Sequence, residues 1–205
     1  MKMDRERLGD LAARAVVSGL LLILSINIFK EFLRTGHLTG LLWLTSESLV
    51  IVLTVVRRRA RRVDRSWVAA VVTGLSFIGP FVVRPSAGEP LAPDALTAIV
   101  SALGLTVVIV GKLALGRSFG LVPANRGIVV GGPYNLVRHP IYSGYLISHA
   151  AFLVAHPHAW NITVLLASDA ALIVRALLEE RVLSADADYK AYCRRVGWHL
   201  MPGVF

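Results

Sequence analysis

Gly131-Gly-Pro-Tyr-Asn-Leu-Val-Arg-His-Pro-Ile-Tyr-Ser-Gly144 is a polar, glycine-rich run lodged between two long apolar segments. It gathers Arg138, His139, Tyr134 and Tyr142 within a few residues. A chain as apolar as this one has to place such a run at a membrane surface, because charged groups within the hydrocarbon are costly. A second polar cluster, Glu179-Glu180, follows the last apolar segment and is positioned to return to the first.

The remaining composition agrees. Of 205 residues, 55% are hydrophobic, and the mean hydropathy is +0.63, beyond the usual range of a soluble domain. The length fits one domain or one compact bundle. The formal net charge of +9 raises the question of nucleic acid. The arginines, however, sit in loops beside apolar spans, as membrane topology requires, so no nucleic-acid partner is expected. The single cysteine, Cys193, excludes an intramolecular disulfide and a thiolate metal cluster. The first apolar run has no small-residue cleavage site and continues into Lys30 and Glu31, so it reads as a span and not as a leader.

Six apolar windows are legible: roughly 13–33, 38–56, 67–83, 95–115, 141–155 and 160–178. About 20 residues cross a bilayer, so the fifth is short and reads as spanning or re-entrant. The third is interrupted by Gly79-Pro80, and Pro157 sets a tight hairpin between the last two. Counted on alternate sides, every Lys and Arg from Lys2 onward falls on one side except Lys30, Arg34 and Arg84. By the positive-inside rule that side is the cytoplasm. The expected fold is therefore an all-α, polytopic transmembrane bundle of about six spans, with both termini cytoplasmic. The proline-rich outer loop, Pro85 to Pro93, divides it. Residues 1–93 form an N-terminal scaffold of three spans, and residues 94–205 form a catalytic half of three spans plus a tail.

Local chemistry sharpens the polar run. Proline suits the first helical position, so Pro140 starts the fifth helix with His139 at its N-cap. Such a terminus, flanked by Arg138, suits an anion. Gly131, Gly132 and Gly144 permit close backbone approach to a bulky ligand. Arg57 to Arg62 read as a topology signal and an anchor to anionic lipid. Glu47, an acid within a span, reads equally as a satisfied structural group among Thr45, Ser46 and Ser48 and as a functional one. No metal site is expected: His149, His156 and His158 lack a carboxylate or thiolate at ligand spacing. No Walker-type loop or dinucleotide fingerprint is present.

The ordered set Leu115-Gly-Arg-Ser-Phe119, Gly132-Pro-Tyr, Val137-Arg-His-Pro-Ile-Tyr-Ser-Gly144, Glu179-Glu180, Tyr189-x-x-Tyr192 and Pro202-Gly203 resembles the isoprenylcysteine carboxyl methyltransferases, a family related to the phospholipid N-methyltransferases. The compact chain looks like a prokaryotic-type member, placed in the cell membrane. The resemblance covers roughly residues 95–205. It implies an S-adenosyl-L-methionine-dependent enzyme whose cofactor pocket lies at the cytosolic face, beneath a C-terminal tail folded over it. Carried across, Arg138, His139, Tyr142, Gly144, Glu179 and Glu180 would line that pocket, with Tyr134 and Val137 beside them. Tyr189, Tyr192 and Arg195 match the family's tail. Arg175, one helical turn before the glutamates, faces the same cavity by spacing and would orient an anionic substrate group. The stretch Ser184-Ala-Asp-Ala-Asp188 departs from relatives, which often carry an aromatic residue and a glycine there.

The acceptor is expected to be lipophilic, an isoprenylcysteine-like carboxylate or a lipid head group, entering sideways from the bilayer. A carboxylate, with a pKa near ~4, needs no general base. An ammonium would need one, and His139, Glu180 or Tyr142 would serve. Two other readings compete with this one. Membrane sterol and steroid reductases share an arginine-histidine-proline-x-tyrosine segment but use NADPH; here Gly144-Tyr145 replaces their Gly-Glu, and no cluster suits a 2′-phosphate. A small transporter or adaptor would explain the polar Asn27, Glu47, Lys112 and Asp169, yet no internal repeat is visible.

Overall fold

A computed structural model of the chain describes residues 5–35, 38–84 and 89–205. Lys2 and the first part of the outer loop, Pro85 to Gly88, lie outside the described residues. The helices are α1 (Arg5–Thr35), α2 (Leu38–Val56), α3 (Trp67–Ile78), α4 (Asp94–Leu115), α5 (Pro140–Ala155), α6 (Ala159–Leu183) and α7 (Ala187–Arg195).

The boundaries follow from local chemistry. Ser66 caps α3 by accepting a hydrogen bond from the Ala69 amide, and Gly79-Pro80 then tightens the chain into a 3-10 turn, Gly79–Phe81. Pro93 precedes α4, whose first turn carries Asp94, and Gly116 ends it at φ +50°, where a side chain would be strained. Pro140 opens α5 with His139 at the N-cap, as the sequence predicts. Asp186 caps α7 through the Asp188 amide, and Arg194 and Arg195 sit at its C-terminal end.

Two features differ from the sequence reading. The last apolar helix does not stop near Leu178 but runs to Leu183, so Glu179 and Glu180 are helical residues and not part of a following loop. The fold is also not purely helical. A two-residue antiparallel ladder pairs β1 (Arg62–Val63) with β2 (Ala124–Asn125).

Helices α4 and α5 form the tightest pair. A Cβ placed on Gly144 would lie 2.6 Å from the Gly104 carbonyl oxygen and 2.9 Å from the Val108 amide, so the two backbones touch. Small residues at such a crossing are how helices approach closely in lipid. Helix α2 packs on α1 and α4, and α3 packs on α6. Two helices, Asp94–Ser118 and Ala159–Leu183, are long and apolar enough to cross a membrane, and three shorter apolar helices accompany them. Leu20, Leu75, Leu103 and Leu166 are exposed on the outside, as expected of a protein solvated by lipid.

The connections sort to two ends of the bundle. At one end, the Arg58 amide donates to the Arg117 carbonyl, the Arg61 amide to the Asn125 carbonyl, and the Arg138 amide to the Trp198 carbonyl. At the other, the Leu91 amide reaches the Val154 carbonyl and the Arg84 amide reaches Asn161 Oδ1. The Trp160 indole donates to the Val82 carbonyl, and the Arg84 guanidinium lies over its ring. The first end, rich in arginine, is where the polar run lies.

Candidate active site

A cavity of about 710 Å³ runs inside the bundle, within the range of ligand pockets. Its apolar stretch is lined by side chains such as Trp43, Phe77 and Leu105. Its polar end is lined by Tyr134, Arg138, His139, Tyr142, Arg175, Glu179, Tyr189 and Tyr192. The polar run and one acid of the glutamate pair thus meet at one end of one cavity.

Helical geometry divides the two glutamates. Successive residues of a helix are turned by about 100°, so Glu179 and Glu180 face different surroundings. Glu179 lines the cavity and accepts a 2.8 Å hydrogen bond from the Tyr142 hydroxyl. Arg175 stands one turn before it on the same face, its guanidinium 5.3 Å from the Tyr142 ring centroid. Arg175 Nη2 donates to the Gly120 carbonyl at 3.4 Å, while its buried Nε has no partner. Tyr189, also on the cavity wall, has Cys193 beside its buried hydroxyl. A buried polar atom without a partner in an otherwise satisfied protein calls for an explanation.

Glu180 instead faces the tail. Its Oε2 accepts from Arg138 Nη1 at 3.1 Å, and its Oε1 lies 2.9 Å from His139 Nε2 and 2.7 Å from His199 Nδ1. Arg138 is fully engaged: Nε donates to the Val196 carbonyl at 2.8 Å and Nη2 to the Cys193 carbonyl at 3.3 Å. The backbone amides of Arg138 and His139 donate to the carbonyls of Trp198 and His199. The two amides just ahead of α5 are therefore taken by the tail's own carbonyls. The tail arrives here carrying the acceptors. Ser143 completes the clasp by donating its hydroxyl to the Leu200 carbonyl.

The other expected residues fall around this core. Tyr134 is buried against α7, and its carbonyl accepts a 2.7 Å hydrogen bond from the Tyr192 hydroxyl. The Val137 carbonyl lies 3.4 Å from the same hydroxyl, and the Val137 side chain is buried off the cavity wall. Gly144 belongs to the α4–α5 contact and not to the cavity lining. Burial raises the Tyr134 and Tyr189 hydroxyls above the ordinary tyrosine range, and pushes Tyr192 up to about 12. The tyrosines around the tail are thus neutral hydrogen-bonding groups.

His199 is the residue that sequence reasoning passed over. It lies in the tail expected to fold over the pocket, but no spacing rule links it to His139. Among the described residues no group of His, Cys, Asp and Glu is arranged to hold a metal.

The geometry can bind a small zwitterion: a buried cation with a free nitrogen, a carboxylate, and hydroxyls at the mouth of an apolar chamber. No curated protein matches the chain. A family model does, that of phospholipid methyltransferase, over residues 95–186, which takes in α4, the polar run, α5, α6 and the cap of α7. The cavity's polar end is thus built largely from the segment, residues 95–186, that matches the phospholipid methyltransferase model.

Proposed function

We propose that the protein is an integral membrane S-adenosyl-L-methionine-dependent methyltransferase acting on a lipophilic acceptor, an isoprenylcysteine-like carboxylate or a lipid head group. The observation that carries this reading is the cluster Arg175–Tyr142–Glu179 at the polar end of the cavity, inside the matched domain. The residues fit the cofactor. Arg175 offers a buried cation with an unpartnered Nε for a carboxylate. Glu179 offers an acceptor for an ammonium or for hydroxyls, and Tyr189 a further hydroxyl. When bound, the cofactor supplies an electrophilic methyl group.

What the protein does is hold and shield. Keeping two reactants in an attack geometry is worth about 7–11 kcal/mol of a barrier. The Glu180 hub fastens residues 196–200 across the start of α5, and in this reading it would keep water from the polar end. Glu180 and Arg138 are positioning residues in this scheme, since their charges are spent on each other and on the tail. His139, stacked on Tyr142 at 5.2 Å and lining the cavity, is the group able to take a proton from an amine acceptor. A carboxylate acceptor would leave it a positioning role.

In the same reading the bundle crosses the bilayer about six times with both termini in the cytoplasm. Residues 1–93 serve as scaffold and 94–205 as the catalytic half. The arginine-rich end, with the polar end of the cavity, then faces the cytosol and its soluble donor. Transfer of a tritiated methyl group from the donor to a membrane lipid extract, by purified protein in detergent, tests the proposal. Label moving into the organic phase is the expected result. A folded protein that moves none overturns it.

A further inference from the structure

Deeper in the same cavity lies a polar pair that the methyl-transfer site does not use. Glu47 of α2 and Lys112 of α4 are 3% and 1% exposed, and both line the cavity. Lys112 Nζ donates to the Ser46 carbonyl at 3.0 Å and to the Ser46 hydroxyl oxygen at 2.7 Å. It stands 3.8 Å from Glu47 Oε1 and 5.5 Å from the Tyr145 ring centroid. An ammonium has three protons. Two go to Ser46, and the third is left for the Glu47 and Tyr145 side. Lys112 therefore has nothing more to offer a ligand. Glu47 does, because its buried Oε2 has no hydrogen-bond partner.

The place of this free oxygen matters. Tyr142 and Tyr145 both line the cavity from α5, and three residues of helix advance about 4.5 Å. Tyr145, with Lys112 over its ring, thus stands about one turn beyond Tyr142, in a cavity also lined by apolar side chains such as Val50, Leu105 and Phe77. Through Tyr145 the pair is tied to a third helix, α5. What the pair adds to the chamber wall is Glu47, whose Oε2 is buried and without a partner.

We propose that Glu47 is a specificity subsite: its Oε2 receives a hydrogen-bond donor, a hydroxyl or an amide N–H, borne by the lipophilic acceptor about one helical turn from the atom that is methylated. The assignment of that molecule as a methyl acceptor rests on the methyltransferase reading. The free oxygen and its apolar surroundings do not depend on it. A chamber lined in this way selects against a purely hydrocarbon or fully etherified molecule of the same shape, because such a molecule would leave the carboxylate oxygen buried and unpaired. Selection of the acceptor would then reside in α2, outside the matched segment.

The test is competitive. Monoolein, which has two free hydroxyls, and its di-O-methyl ether are offered in equal amounts to the full-length protein in detergent, and bound lipid is read by native mass spectrometry. Wild type should retain monoolein over the ether by about tenfold, the scale of one well-made hydrogen bond. Glu47→Leu should bring the ratio to about one. Because that variant strands a buried ammonium, Glu47→Leu combined with Lys112→Met is measured beside it, with thermal melting to confirm folding. Equal retention of the two lipids by wild type, or a preference that survives in a folded variant, would overturn the proposal. Donor binding by wild type is measured separately. Lipid discrimination without donor uptake would retain the subsite and remove the methyltransferase reading; donor uptake without discrimination would do the reverse.

Discussion

His139 and His199 meet on a single atom: His139 Nε2 lies 2.9 Å, and His199 Nδ1 2.7 Å, from Glu180 Oε1. One histidine stands at the N-cap of α5, and the other belongs to the C-terminal tail. The carboxylate between them is also held by Arg138. One charge cluster thus ties the start of α5, the end of α6 and the tail together.

His199→Ala should loosen the tail without altering the helices. Hydrogen bonds to charged groups contribute about 1.5–3 kcal/mol each. The amides of Arg138 and His139, which donate to the carbonyls of Trp198 and His199, should lose protection by one to two orders of magnitude in hydrogen exchange. Amides in the middle of α5 should be unaffected. Unchanged exchange at Arg138 and His139 would mean that the clasp does not depend on His199.

The division of labour between the two acids gives a second expectation. Glu179→Gln, on the cavity wall, should weaken donor binding by about tenfold or more, with little change in melting temperature. Glu180→Gln should lower the melting temperature and increase proteolysis after residue 195, with donor affinity falling only as far as the tail is released. Isothermal titration and limited proteolysis on the two variants separate these effects.

Packing at the α4–α5 crossing is equally exposed to test. Gly144→Ala would press a methyl group against the Gly104 carbonyl and the Val108 amide. The expected destabilisation is about 1–3 kcal/mol, read as a lowered midpoint in a thermal melt in detergent. A neutral substitution would show that the two helices have slack there.

Tyr192 sets an alkaline limit. Burial raises its hydroxyl to about 12, while the nearby Arg138 acts in the opposite direction. A pKa raised above the unfolded value of about 10 gives stability that is complete below that value and lost as pH rises towards the folded one. The contact from Tyr192 to the Tyr134 carbonyl should therefore be constant through neutral and mildly alkaline pH and fail between about 10 and 12. Tyr192→Phe should cost about 1 kcal/mol and abolish this tail-specific alkaline transition, followed by proteolysis against pH.

Helix positions were legible because apolar windows and Pro or Gly breaks are local signals. Leu38–Val56 and the break at Gly79-Pro80 come straight from them. The end of α6 was not, since Glu179 and Glu180 look like an exit from the membrane although the helix continues through them to Leu183. That extension turns the two acids to opposite tasks, a distinction invisible until the helical phase is known. Arg138, His139 and Tyr142 could be read as one locus from their adjacency. The part played by His199, and the pairing of Glu47 with Lys112, depends on contacts between distant segments for which sequence spacing has no rule. The N-terminal half, read as a scaffold with Glu47 open to either a structural or a functional part, contributes Trp43 and Glu47 to the cavity wall.

The central claim is that the polar end of this cavity receives S-adenosyl-L-methionine between Arg175 and Glu179. Equilibrium dialysis of labelled S-adenosyl-L-methionine and, separately, NADPH against the purified protein is the most direct test. The account predicts micromolar, saturable binding of the first, lost in Arg175→Ala, and none of the second. A folded protein that takes up NADPH, or that binds S-adenosyl-L-methionine equally well without Arg175, would contradict it.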